Sequence, residues 1–262
     1  MSGNWKYITA QITIGLLLAG VLLGAYFLGR SELKSTPCER IRVTVADSAQ
    51  TRFVTEKVVK EYLASEYEGL IGTAIGDVDL MKVENILESK STIESSNAFI
   101  SSNGCLDVTV TQRKPAVRLQ ASDFGVYCDR DGNLIPMQST YAADVPIIDG
   151  NLPIDTADCR TGRPEDPEAA QWLMKIVAMT KQIDSSPIWR KAISQIHCDE
   201  KGDIIIITKL GKEKFIFGHP TDVSAKLEKM QIYYEMIAPQ EDKEYNTVDL
   251  RFDRQIICKN NK

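Results

Sequence analysis

From Tyr7 to Gly29 the sequence carries no charged side chain. As a helix this stretch would be ~34 Å long at ~1.5 Å per residue, enough to cross a hydrocarbon core of ~30 Å. Trp5, Lys6 and Tyr7 flank one end and Tyr26, Phe27 and Arg30 the other, residue types suited to the two membrane interfaces. A cleaved signal peptide would have an apolar region of only ~7–15 residues and a small-residue cleavage site. No such site follows Leu28, and Cys38 is preceded by Ser-Thr-Pro rather than a lipoprotein box. The expectation is a retained single-span anchor. Its orientation does not follow from charge, because Lys6 precedes it while Arg30, Lys34, Arg40 and Arg42 follow it.

What remains of the 262 residues has room for one or two soluble domains. With 43% hydrophobic and 26% charged residues, the chain is too apolar to be disordered and too polar to span a membrane many times. A net charge of -5 argues against a phosphate-binding surface, since nucleic-acid affinity rests on clustered Lys and Arg. Nucleic acid is therefore not an expected partner.

After a short polar linker ending at Pro37, Ile41, Val43 and Val45 alternate with polar residues, as in a half-buried strand. Thr55 is placed to cap a helix carrying Val58, Val59, Tyr62 and Leu63, and Asp79 to cap another carrying Leu80, Val83, Ile86 and Leu87. Ile93 to Ile100 reads as a strand, Ser101 to Gly104 as a turn, and Leu106, Val108 and Val110 as the next strand. The order is β-α-α-β-β over residues 38–115, a normal α+β solution for this length.

Beyond Pro115, strands are predicted at Ala116–Leu119, Gly125–Cys128 and Leu134–Ile135, with Asp131-Gly132 as a hairpin signal. Residues 151–166 read as loop. A helix then places Trp172, Ile176, Val177, Thr180 and Ile183 on one face. Strands follow at Ile193–Cys198, Ile204–Ile207 and Phe215–Gly218, separated by turns around Gly202 and Gly211, and a final helix runs from Val223 through Leu227, Met230 and Tyr234 to Ile237 before Pro239. A single closing strand is predicted from Thr247 to Cys258.

His197 and His219 are the only histidines, and neither sits in a recognisable nucleophile or metal motif. Carboxylate pairs such as Asp129 with Asp131 and Asp249 with Asp253 have the residue types for acid–base work, but such residues beside strands and turns are usually just solvated. The six cysteines form no C-x-x-C pair, and only Cys198 neighbours a histidine. No metal, cofactor or small-molecule substrate is expected. Disulfides and buried thiols both remain open.

The closing segment Tyr245-Asn246-Thr247-Val248-Asp249-Leu250-Arg251-Phe252-Asp253 resembles the Val-Asp-Leu-Arg-aromatic strand of the cell division proteins FtsQ/DivIB. Ile216-Phe217-Gly218, the helix with Leu227 and then this strand also follow that family's order. The resemblance implies a cytoplasmic tail at residues 1–6, a transmembrane helix at 7–29, a linker at 30–37, a POTRA domain at 38–115 and an FtsQ-type β domain at 116–262, with flanking helices. It implies a non-enzymatic scaffold of the divisome, active in septum formation, in the cell inner membrane with its folded domains in the periplasm. Its partners would be FtsB- and FtsL-like, bound through Val248, Leu250, Arg251, Phe252 and Asp253. A POTRA-containing transport or assembly accessory, and a membrane-tethered enzyme with an unrecognised site, are the other classes left open.

Two structural expectations follow. Thr247 to Ile257 should be an exposed edge strand to which a partner adds its own strand, with Arg251 on its polar face and Arg251→Glu leaving the fold intact. Cys38 and Cys105 stand at the starts of two strands of the first module. If those strands run side by side and parallel, the two could reach the ~4.4–6.8 Å Cα separation of a disulfide.

Overall fold

The structure, a computed structural model, describes residues 13–24, 36–47, 53–101, 104–138, 141–240 and 245–260. Residues 13–24 are helical, with Ile14, Leu16, Leu17, Leu18, Val21, Leu22 and Leu23 exposed. Among the described residues no helix is long and apolar enough to cross a membrane. The rest of the expected span at 7–29, the tail at 1–6 and nearly all of the linker lie outside them.

Two compact units follow. In the first, β1 (Ile41–Val45), α1 (Glu56–Glu66), α2 (Leu80–Glu88), β2 (Ile93–Ile100) and β3 (Leu106–Gln112) occur in the predicted order. Thr55 Oγ1 accepts the Val58 N–H and Asp79 the Lys82 N–H. Each such cap contributes about 1 kcal/mol by satisfying a helix N–H that has no partner within the helix. β3 lies between β1 and β2 and runs parallel to β1, with Ile41 opposite Leu106 and Val45 opposite Val110. Val59 and Leu63 of α1 and Val83, Ile86 and Leu87 of α2 are buried with Val43, Ile93, Leu106, Val108 and Val110 of the sheet. Full burial of each aliphatic side chain stabilises by ~1.5–3 kcal/mol.

The two edges of this sheet are treated differently. The Ser96 and Ala98 N–H groups of β2 donate to Glu88 and Glu84 of α2 at 3.0 and 2.8 Å, so that edge is already satisfied from within. The β1 edge borders a cavity of about 570 Å³ lined by Arg40, Ile41, Lys60, Ala64, Tyr67 and Ile71.

The second unit comprises Phe53 and the chain from Gln112 onward. It holds β4 (Pro115–Gln120), β5 (Gly125–Asp129), β6 (Leu134–Pro136), β7 (Ile147–Gly150), α3 (Thr156–Thr161), α4 (Pro167–Ser185) and α5 (Trp189–Ala192). Then come β8 (Ile193–Cys198), β9 (Ile204–Thr208), β10 (Lys214–Gly218), α6 (Val223–Ile232), a π-helical turn (Tyr233–Ile237), β11 (Thr247–Asp249) and β12 (Ile257–Lys259). The strands form one sheet of nine in the order β12-β11-β10-β9-β8-β7-β4-β5-β6. β4 with β7, β7 with β8 and β10 with β11 are parallel.

Alternation divides the faces. Val117, Leu119, Ile148, Ile196, Ile206, Phe215, Phe217, Val248 and Leu250 join Leu173, Ile176, Ile183, Leu227 and Met230 of the helices in one core. Gln195, Ile205, Ile207 and Ile216 are left at least partly exposed on the other face.

Three predictions are corrected here. Residues 151–166 are not all loop: Asp155 and Asp158 form a reciprocal capping box, Gly162 closes α3 at φ 81°, and the prolines stand outside the helix. β7 and α5 were not anticipated. The single strand from Thr247 to Cys258 is two short antiparallel strands joined by a bend, with Arg254 at φ 51°.

Candidate partner-docking edge

Two hairpins of the sheet, β5–β6 and β8–β9, repeat one device. In Asp129–Asn133, the Asp129 Oδ1 accepts the Asp131 and Asn133 N–H groups at 2.9 and 2.8 Å, and its Oδ2 accepts from Asn133 Nδ2 and Arg113. In Asp199–Asp203, the Asp199 Oδ1 accepts the Lys201 and Asp203 N–H groups at 2.8 and 2.9 Å. Both turns place a glycine, Gly132 or Gly202, at φ 81°, a conformation that a Cβ would strain. Asp129 is thus a turn organiser with its bonding capacity filled, rather than an acid or base.

The second of these turns sets Asp203 where Arg251 reaches it. Arg251 Nε and Nη2 grip both oxygens of Asp249 at 2.9 and 2.7 Å, and Nη1 donates to Asp203 at 2.8 Å. The Asp249 side chain is 1% exposed and that of Asp203 13%. The stem of Arg251 lies across Gly218, where an added Cβ would come within 2.6 Å of the Arg251 Cγ. Burial pushes the Asp249 carboxyl up, but the Arg251 hydrogen bonds and charge together outweigh it and hold the group below its ordinary value.

The expected edge strand is therefore reassigned. β11 is paired on both sides, to β10 and to β12, and β12 is the terminal strand of the sheet. Val248 and Leu250 are fully buried in the core and present nothing to a partner. Arg251 is a clamp, which overturns the reading of it as a substitutable surface charge. Phe252 is 46% exposed and Asp253 is exposed, and Lys229 of α6 donates to the Leu250 and Phe252 carbonyls at 3.3 and 2.6 Å, holding this bend against the helix. Beside them, Ile257 is half-buried and Lys259 exposed on the edge strand itself.

A family model described as FtsQ/DivIB, C-terminal related, matches residues 114–259, more than half of the chain. The chain belongs to the FtsQ/DivIB family. A POTRA-like domain model matches residues 36–111, covering the first unit. No curated protein matches the chain.

Within this family member, sequence reasoning missed Lys259 as an edge residue, Asp203 as the partner of Arg251, and Lys229 as the anchor of the bend. The D-x-R spacing of Asp249 and Arg251 was the one available signal for the clamp. His197 and His219 do not build a second site. His197 Nδ1 lies 2.7 Å from Asp149, which also accepts from Gln195 at 2.8 Å, and the His219 carbonyl accepts from Lys226. Among the described residues no group of His, Cys, Asp or Glu could hold a metal ion.

Proposed function

We propose that the chain is a non-enzymatic, bitopic inner-membrane protein of the bacterial division machinery. It scaffolds the divisome by recruiting FtsB- and FtsL-like partners through periplasmic domains, with residues 7–29 as its anchor. The observation that carries the reading is β12, the terminal strand of the sheet in the unit that belongs to the FtsQ/DivIB family. A terminal strand offers main-chain N–H and C=O groups to a partner strand, while Phe252, Ile257 and Lys259 supply side-chain selectivity beside it. An exposed aromatic is also among the residue types enriched at interface hot spots.

Phe252→Ala and Lys259→Glu in the full chain, followed by co-purification from membranes, test the docking edge. Partner recovery should fall about 10-fold or more with an unchanged melting curve; undiminished recovery would move the interface elsewhere. A reporter fused at Lys262 tests the orientation: activity of a cytoplasm-only reporter there would overturn the periplasmic placement.

A further inference from the structure

We propose that Cys38 and Cys105 form a disulfide in an oxidising compartment, stapling the entry of the chain into the first unit to the start of β3. The pairing stands independently of any recruiting role. It rests on how tightly the approach to β1 is held. The Cys38 N–H donates to the Thr73 carbonyl at 2.8 Å and its carbonyl accepts the Gly72 N–H at 2.9 Å, while Ile75 N–H bonds Thr36 at 2.8 Å and Pro37 bridges Ala74.

The parallel register then brings the second cysteine alongside. Ile41 faces Leu106, and the Leu106 N–H donates to the Arg40 carbonyl at 3.1 Å. The Cys38 sulfur lies 3.9 Å from that same carbonyl oxygen. Leu106 is covalently joined to Cys105, so the Cys38 sulfur sits against the peptide that leaves Cys105. Extended by one pair, the register sets Arg40 beside Cys105, two residues from Cys38, and closure requires this segment to bring the two Cα atoms to the ~4.4–6.8 Å spacing that a disulfide uses.

Exposure sets the order of events. Cys38 is 1% exposed and Cys105 partly so. The Cys105 thiolate attacks an external small-molecule disulfide such as oxidised glutathione, forming a mixed disulfide and releasing one glutathione thiolate. The Cys38 thiolate then attacks the Cys105 sulfur, displacing the second. Two protein thiols lose two electrons and two protons, and the oxidant gains both as two thiols. Burial raises the Cys38 thiol above its ordinary value, with the Cys105 charge adding to it, so ring closure should accelerate as pH rises. Elsewhere, burial and neighbouring aspartates push the Cys159 and Cys198 thiols up to about 11, which leaves them less ready to compete.

The full chain, treated with oxidised glutathione, alkylated and digested without reduction, should yield one peptide containing Cys38 joined to one containing Cys105, lighter by two hydrogens than their sum. Cys105→Ser should abolish it, and reductant should reverse it. Because the loop closed is long, the oxidised chain should show the first unit melting about 10 °C or more higher than the reduced chain. A stable glutathione adduct on Cys105 with Cys38 still a thiol, a Cys105 linkage to any other cysteine, or no reaction at either position would overturn the pairing. Mapping the wild-type chain gives this result even if a serine variant fails to fold.

Discussion

Replacing Arg251 by Met would leave Asp249 ionised, 1% exposed and stripped of the two guanidinium donors that grip it. Removing one member of a fully buried ion pair typically costs ~3–5 kcal/mol. The Arg251 side chain is 40% exposed, so water already screens part of the pair and can enter after substitution. The expected loss is about 2–3 kcal/mol, or roughly 5–10 °C in melting temperature for a unit of this size. Arg251→Lys keeps the charge but loses the two-pronged grip and should cost about 1 kcal/mol, whereas Arg251→Glu sets a third carboxylate against Asp249 and Asp203 and should be the worst of the three. The pH dependence separates this account from simple loss of packing. Because Asp249 is held below its ordinary value in the folded chain, its contribution is present above the unfolded value of ~3.9 and is lost as pH falls through the folded value. In Arg251→Met, burial dominates and the carboxyl rises instead. The stability gap between wild type and variant should therefore narrow as pH falls from 6 toward 2. Urea unfolding followed by circular dichroism across that range measures it. A Met variant within 0.5 kcal/mol of wild type at pH 7, or a gap that does not change with pH, would refute the clamp.

Other elements give independent tests. Gly218→Ala combines φ 74° with a Cβ driven into the Arg251 stem, and should lower stability by ~1–3 kcal/mol in the same urea assay. Asp129→Ala leaves three backbone and side-chain donors of the β5–β6 turn and Arg113 without their acceptor; a loss of ~2–3 kcal/mol is expected by thermal melting. Asp155→Ala removes the capping box of α3 at a cost of ~1 kcal/mol, read from the same melts. Tyr234, whose hydroxyl donates to buried Glu213 and pairs with Thr208 at 2.6 Å, is raised by burial and by that carboxylate, so ultraviolet titration should find it ionising well above the exposed tyrosines. Its raised value stabilises the fold below the unfolded tyrosine pKa of ~10, and that contribution is lost as pH climbs through the folded value.

Local physics made much of the chain legible from its residues. Caps at Thr55 and Asp79, the period-two runs of β1 and β3, and the 3.6-residue spacing of Ile176, Val177, Thr180 and Ile183 depend on neighbours a few positions away, and each formed as read. The closing Val-Asp-Leu-Arg run likewise led to the family. Which strand ends the sheet, however, is decided by pairings that no local pattern contains: β11 lies between β10 and β12, so the residues resembling a docking strand became core and clamp. Arg251 finds Asp203, 48 residues away, only because the β8–β9 turn and the parallel pairing of β10 with β11 bring them together. Alternation along one continuous strand stops at Asp249, where β11 ends, so Phe252 is exposed while Asp249 is buried; whether Arg251 meets a partner protein or a neighbouring aspartate depends on strand order, a long-range property set by the packing of the whole unit.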